Sequence, residues 1–215
     1  KTKNYICLLS ITYDMESLDD VFVADAVVHS YNQQESNFRV PRYAEQVAEI
    51  GVAMENKMPE GYRRTRESFL GNWPIEDTTN ALFRESHTDF AVIHPQSITV
   101  FYDGLTAEAK AKQFVENNPD RTAALASIDA VGLDDPQAEL TRQVEEFDPH
   151  GVKVYPSHWE EDGTHHGFKM DDPETAFPLW EHAADLGLDV VAVHKAFPFG
   201  AVPMDSYKVG DVEEA

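Results

Sequence analysis

Apolar positions in this chain fall into short runs separated by longer stretches of helical periodicity. Residues 21–29, VFVADAVVH, are rich in valine and bounded by acidic and polar residues, which predicts a first core strand buried on both faces. Residues 41–57 open with Pro41 and place Tyr43, Val47, Ile50 and Met54 at helical spacing, which predicts an amphipathic helix closed by Pro59 and Gly61. The same alternation predicts helices over 75–85, 106–117, 136–147 and 173–186, and strands over 90–94, 121–128, 151–155 and 188–194.

Apolar strands that alternate with amphipathic helices specify a parallel sheet, because parallel strands need crossovers and the crossovers cover the faces. An open doubly wound sheet and a (β/α)₈ barrel both fit this pattern. A dinucleotide-binding sheet would carry a Gly-rich turn after its first strand, and here that strand runs into His29-Ser30-Tyr31-Asn32. Residues 1–20 are expected to form an N-terminal arm, with residues 21–215 forming the (β/α) portion. The apolar run 5–13 is shorter than the roughly 20 residues that cross a bilayer, and no small-x-small cleavage site follows it.

Composition narrows the partners. Lys+Arg 17 against Asp+Glu 39 gives a net charge of −22 over 215 residues, a surface that repels phosphate, so neither nucleic acid nor anionic membrane is an expected partner. A hydrophobic content of 42% argues for a folded chain despite that charge. Cys7 is the single cysteine, so no internal disulfide or thiolate metal site can form, and the expected compartment is the cytoplasm. Any metal must therefore use histidine and carboxylate.

His29, His94 and His194 each stand at the C-terminal end of a predicted strand, where barrel enzymes keep their sites. The stretches ADAVVHSYN at 24–32, GVKVYPS at 151–157 and VVAVHKAFPFG at 190–200 resemble the amidohydrolase superfamily. Together with PETAFPLWEHAADLGLDVVAVHK at 173–195, they resemble the branch that includes aminocarboxymuconate-semialdehyde decarboxylase, amidohydrolase family 2. The likeness implies a TIM-type (β/α) barrel, of which this sequence covers the first five βα units. It also implies a divalent metal, commonly zinc, held by a first-strand H-x-H, E-x-H or D-x-H element, a fifth-strand histidine and an aspartate after the eighth strand.

On that likeness His29 matches the second position of the first-strand element and His194 the fifth-strand ligand. Val27 occupies the other first-strand position and has no lone pair to give. Asp25 is no substitute, since at ~3.3 Å per residue it lies ~13 Å along an extended strand from His29. The sixth-strand motif and the final aspartate are absent from the sequence, so the barrel is expected to be completed by further residues, by another chain or by a homo-oligomer.

Four further residues are candidate substrate contacts. Lys153, on the predicted fourth strand, and Lys195, directly after His194, are placed to meet a substrate carboxylate. Arg63 belongs to the one dense basic cluster, Arg63, Arg64 and Arg66, and an arginine fork pairs bidentately with carboxylates. Trp159 lies in a polar stretch, 157–170, expected to be a substrate lid with Trp159 and Phe168 as apolar cover. His158, His165 and His166 share that stretch.

A coordinated divalent ion lowers the pKa of bound water toward neutrality or polarises a carbonyl or carboxylate. The expected activity is accordingly metal-dependent hydrolysis of a small, carboxylate-bearing organic substrate. Non-oxidative decarboxylation of an unsaturated or aromatic acid is the alternative. A non-catalytic relative or partner subunit is the third reading, supported by Val27 and by the missing half of the barrel.

Overall fold

A computed structural model describes residues 21–195, 202–213 and 215. The expected N-terminal arm lies outside the described residues. In chain order the elements are β1 (Ala24–Val28), α1 (Pro41–Glu55), α2 (Arg66–Phe69), α3 (Ile75–Phe83), β2 (Phe90–Ile93), α4 (Glu108–Asn117), β3 (Thr122–Ala124) and β4 (Ala126–Ile128). There follow α5 (Pro136–Phe147), β5 (Val152–Val154), β6 (Ser157–Trp159), β7 (His165–Gly167), α6 (Ala176–Asp185) and β8 (Val191–Val193). Local chemistry sets several of these limits. Pro41 and Pro136 start α1 and α5 where a missing N–H costs nothing, and the Asp135 side chain caps α5 by accepting from the Ala138 N–H at 2.9 Å.

The strands pair in the parallel orders β1-β2-β3 and β4-β5-β8. The run predicted as one strand over 121–128 is divided at Leu125. The Leu125 N–H donates back to the Ile93 carbonyl, whereas the next N–H, of Ala126, donates forward to Gly151. One stretch of chain thus serves both neighbours in turn, and the two half-sheets form a continuous arc whose order follows the sequence. A doubly wound sheet would reverse direction about its first strand, so the arc is part of a TIM-type barrel. It is not closed among the described residues.

Strand alternation then divides the side chains between two faces. On the outer face Val28, Ala91, Ile93 and Ala124 pack against Ile75 of α3 and against Ala111 and Phe114 of α4. Further along the arc Ala126, Ile128, Val152 and Val154 pack against Leu140 of α5 and Leu179 of α6. The opposite face, toward the barrel lumen, therefore carries Val92, Ser127, Lys153 and Ala192. A third cluster, which includes Val47, Ile98, Phe101, Tyr155, Trp159 and Tyr207, packs beyond the strand ends.

The stretch 157–170 is not a polar lid. It contains an antiparallel hairpin in which His158 faces His166 and Trp159 faces His165, turning at Gly163 with φ +87. Trp159, Phe168 and Met170 are buried, and the Trp159 N–H donates to Thr99 Oγ1 at 2.8 Å. Burial of these three large side chains outweighs the surrounding acidic residues and pins the segment to the core. No helix among the described residues is long and apolar enough to cross a membrane.

Candidate active site

His29, His94 and His194 directly follow the last residues of β1, β2 and β8, so the parallel arc brings them to one rim. Backbone pairing continues onto the rim, with the His94 N–H donating to Val28 at 2.9 Å and the His194 N–H to Val154 at 3.0 Å. The His94 carbonyl accepts from His29 Nδ1 at 2.9 Å, and the two rings stand edge-to-face with centroids 6.1 Å apart. A carbonyl can only accept, so His29 carries its proton on Nδ1 and leaves a lone pair on Nε2.

Two of the rim imidazoles, His29 and His94, are held neutral. Burial pushes His29 down to about 4, opposed by the hydrogen bond to His94 and reinforced by the charges of His94, Lys153 and His194. Burial likewise pushes His94 down to about 4, with the Lys153 ammonium adding to the fall and the Ala26 carbonyl and Asp25 opposing it. Burial also lowers Lys153 itself, whose Nζ lies 5.4 Å from the centre of the Tyr155 ring.

Aromatic rings wall the rim. Tyr155, directly after β5, stacks on His194 at 4.8 Å between centroids, and Tyr207 meets His194 edge-on at 6.2 Å. Gln96 Nε2 donates to the Tyr155 hydroxyl at 2.7 Å, and the Tyr207 and Ser157 hydroxyls pair at 2.8 Å. Beside His29 opens a cavity of about 450 Å³ lined by Val27, Tyr31, Met54, Glu55, Phe69 and Trp73. The Tyr31 and Trp73 rings have centroids 4.8 Å apart. The Lys110 ammonium holds this wall, donating to the carbonyls of Ser30, Tyr31 and Trp73 at 2.9, 3.1 and 2.8 Å.

The other sequence-predicted contacts lie elsewhere. Lys195 is committed internally: its Nζ donates to Asp211 Oδ2 at 2.6 Å and to the carbonyls of Ser206 and Lys208, with both charged side chains almost wholly buried. Arg63 is exposed, and its Nε donates to the Met58 carbonyl. Trp159 is 1% exposed within the cluster beyond the strand ends. The fold thus gathers His29, His194 and Lys153 with His94, and does not bring Arg63, Lys195 or Trp159 to them as free groups.

Tyr155 was findable from the rule that exposed His29, since it too directly follows a strand. Asp129, directly after β4, satisfies the same rule and is engaged by His158. Lys110 and Tyr207 come from a helix and from the segment after 202, and no local pattern marks them.

Catalytic zinc commonly takes about three protein ligands. Among the described residues no three histidine, cysteine or carboxylate side chains are grouped so as to hold a metal ion. Val27 is 54% exposed beside His29 and supplies no donor. The described residues therefore do not by themselves fit a complete metal site.

No family profile matches the sequence, and no curated protein matches it. Solved structures do. An uncharacterised TIM-barrel protein from Bordetella bronchiseptica superposes with a TM-score of 0.58 at 16% identity, over 87% of this chain and 59% of its own. A 5-carboxyvanillate decarboxylase from Novosphingobium aromaticivorans superposes with a TM-score of 0.52 at 12% identity, over 89% of this chain and 55% of its own. That decarboxylase structure contains manganese and 3-methoxy-4-hydroxy-5-nitrobenzoic acid. The chain has the barrel fold of these proteins and spans between half and two thirds of their lengths.

Proposed function

We propose that this chain carries the strand 1 to 5 side of an amidohydrolase-type active site acting on a small organic carboxylate. The observation that carries the reading is the meeting of His29, His94 and His194 at the carboxyl ends of parallel strands of one arc, the rim from which barrel enzymes build their sites, with Lys153 on the lumen face of β5. Around it are a neutral imidazole lone pair on His29, an aromatic wall and a buried ammonium, which suit a flat, anionic small molecule. A divalent metal, zinc or manganese, would take His29 and His194 as two of its donors and would need others besides. Hydrolysis and loss of CO₂ are the two reactions this reading admits.

Purified protein loaded in turn with zinc and manganese is to be assayed for CO₂ release from aromatic and unsaturated monocarboxylates, and for opening of lactones and amides. We expect turnover in one series, reduced by ~100-fold or more in His194→Asn, a loss typical of removing a group that acts on the reacting atoms. A folded protein that takes up neither metal and turns over neither series would overturn the reading. The second reading, a non-catalytic relative or partner subunit, is favoured by Val27 and by the incomplete donor set, and it would stand in that case.

A further inference from the structure

Lys110 is in the first turn of α4, a helix whose Ala111 and Phe114 are fully buried on the outer face. The dipole is positive at that end of a helix and disfavours a cation, so a lysine there needs an offset. Backbone carbonyls supply it. An ammonium has three N–H groups, and those of Lys110 go to the carbonyls of Ser30, Tyr31 and Trp73, with none spent on a carboxylate.

These carbonyls belong to two separate pieces of chain. Ser30 and Tyr31 continue β1 past His29, whereas Trp73 lies just before α3. The same junction carries the Ser30 Oγ donation to the Trp73 carbonyl at 3.1 Å and the Trp73 N–H donation to the Tyr31 carbonyl at 2.8 Å. The indole is fixed beyond its backbone: its Nε1 donates to the Phe69 carbonyl at 3.0 Å, and the Arg64 guanidinium lies 3.7 Å from the ring centre. Tyr31 in turn stacks on His29, with centroids 5.8 Å apart and 23° between the planes. Lys110 thus clamps the junction that sets how the Tyr31 and Trp73 rings stand to each other and to His29.

We propose that Lys110 is a positioning residue for ligand selection: by fixing the Tyr31–Trp73 wall of the cavity beside His29, it makes the site prefer a planar ring acid to a saturated ring acid of the same charge and similar size. A planar ring gains face or edge contacts with a fixed aromatic pair beyond the area it buries, and a puckered ring gains only the burial. The inference rests on the reading that the rim receives a small organic carboxylate, and it names what selects that carboxylate's shape. Lys110 acts through the wall and touches no reacting atom.

Benzoate and cyclohexanecarboxylate are to be titrated by calorimetry in EDTA into the full chain, for the wild type, Lys110→Met, Trp73→Leu and Gly132→Ala. The wild type is expected to bind benzoate about fivefold tighter than cyclohexanecarboxylate, as an aromatic contact requires. K110M should bring the two acids to within about twofold, chiefly by weakening benzoate. It should stay folded, because the Tyr31 and Trp73 carbonyls keep their second donors. W73L should lose the preference as well, and G132A, perturbed away from the wall, should keep it. Returning an ammonium should restore the preference, and Lys110→Cys alkylated with bromoethylamine in a Cys7→Ser background returns one at lysine's length. Fluorine NMR of fluorotryptophan-labelled protein reads the wall without ligand: the Trp73 resonance, assigned by its absence in W73L, should be sharp in the wild type and broadened or split in K110M.

An unchanged preference in K110M or W73L, its loss in G132A, no recovery in the alkylated protein, or an unaltered Trp73 resonance in K110M would each overturn the proposal. Unfolding of K110M would also overturn it, by showing a role in folding and not in selection, as would a wild type that binds neither acid or both alike. All titrations exclude metal. Failure to bind metal or turn over substrate therefore counts against the proposed function alone, and failure here counts against the selection alone.

Discussion

His158 Nδ1 donates to Asp129 Oδ2 at 2.5 Å, joining the hairpin strand β6 to the residue directly after β4. Asp129 is held in turn, its Oδ1 accepting from the Val131 and Gly132 N–H groups at 3.2 and 3.1 Å. The hydrogen bond to Asp129 raises the His158 pKa above its ordinary value, against desolvation, with the charges of Asp129 and Glu160 adding to the rise.

A folded-state pKa above the unfolded value of about 6.5 means that the pair stabilises fully below that pH and loses its charged contribution as pH rises through the folded value. We expect the urea midpoint of the wild type to fall over this range and that of Asp129→Asn to fall less. Parallel profiles for the two proteins would contradict the assignment.

Gly132 leaves room for this pair. A methyl group there would lie 2.2 Å from His158 Nδ1 and 2.4 Å from Asp129 Oδ2. Gly132→Ala should therefore destabilise by about 1–3 kcal/mol, the usual cost of forcing extra volume into a packed site. Chemical denaturation at pH 6 measures it, and an unchanged midpoint would show that the turn yields freely.

The buried Lys195–Asp211 pair ties the segment after 202 to the end of β8, and Met170 adds an N–H donor to Asp211 at 2.8 Å. Removing one partner strands the other, so Asp211→Ala should cost about 3–5 kcal/mol, whereas Lys195→Met with Asp211→Leu should cost much less. A double-mutant cycle by urea unfolding checks this. Equal, additive losses would mean that the two charges do not depend on each other.

Val27 is exposed beside His29, so an imidazole can be introduced there without opening the core. Val27→His should raise zinc retention on dialysis by about tenfold or more, because it adds a donor two residues from His29 on the same strand face. Unchanged retention in a folded variant would show that the first-strand side chains do not converge as the resemblance implies.

The outer edges of β1 and β8 are unpaired among the described residues, and Phe22, Val27, Val190 and Val191 are exposed along them. Apolar surface contributes ~25 cal/mol per Å² when removed from water, so uncovered parallel edges favour association. Light scattering after size exclusion should show the 215-residue chain associating, or binding an exposed-surface dye. A monodisperse monomer that excludes the dye would contradict this.

Local pattern determined much of this protein. The valine-rich runs and the apolar stripes of α1, α4 and α5 locate the elements to within a few residues. Their alternation requires parallel pairing, and a histidine placed directly after a strand must lie at the sheet's carboxyl edge whatever its neighbours do. That logic exposed His29, His94 and His194, and applied more widely it exposes Asp129 and Tyr155.

Tertiary structure decided what depends on distant partners. Leu125 and Ala126 are adjacent in sequence and donate to opposite neighbours, a division that no propensity encodes because it arises from the curvature of the arc. Lys153 and Lys195 read alike as strand-borne cations. Lys195 meets Asp211, because the segment after 202 folds back over the end of β8, and Lys153 meets no carboxylate among the described residues. A lysine's chemistry is set by whether a counter-charge shares its desolvated space, and only the packed chain determines which charges do.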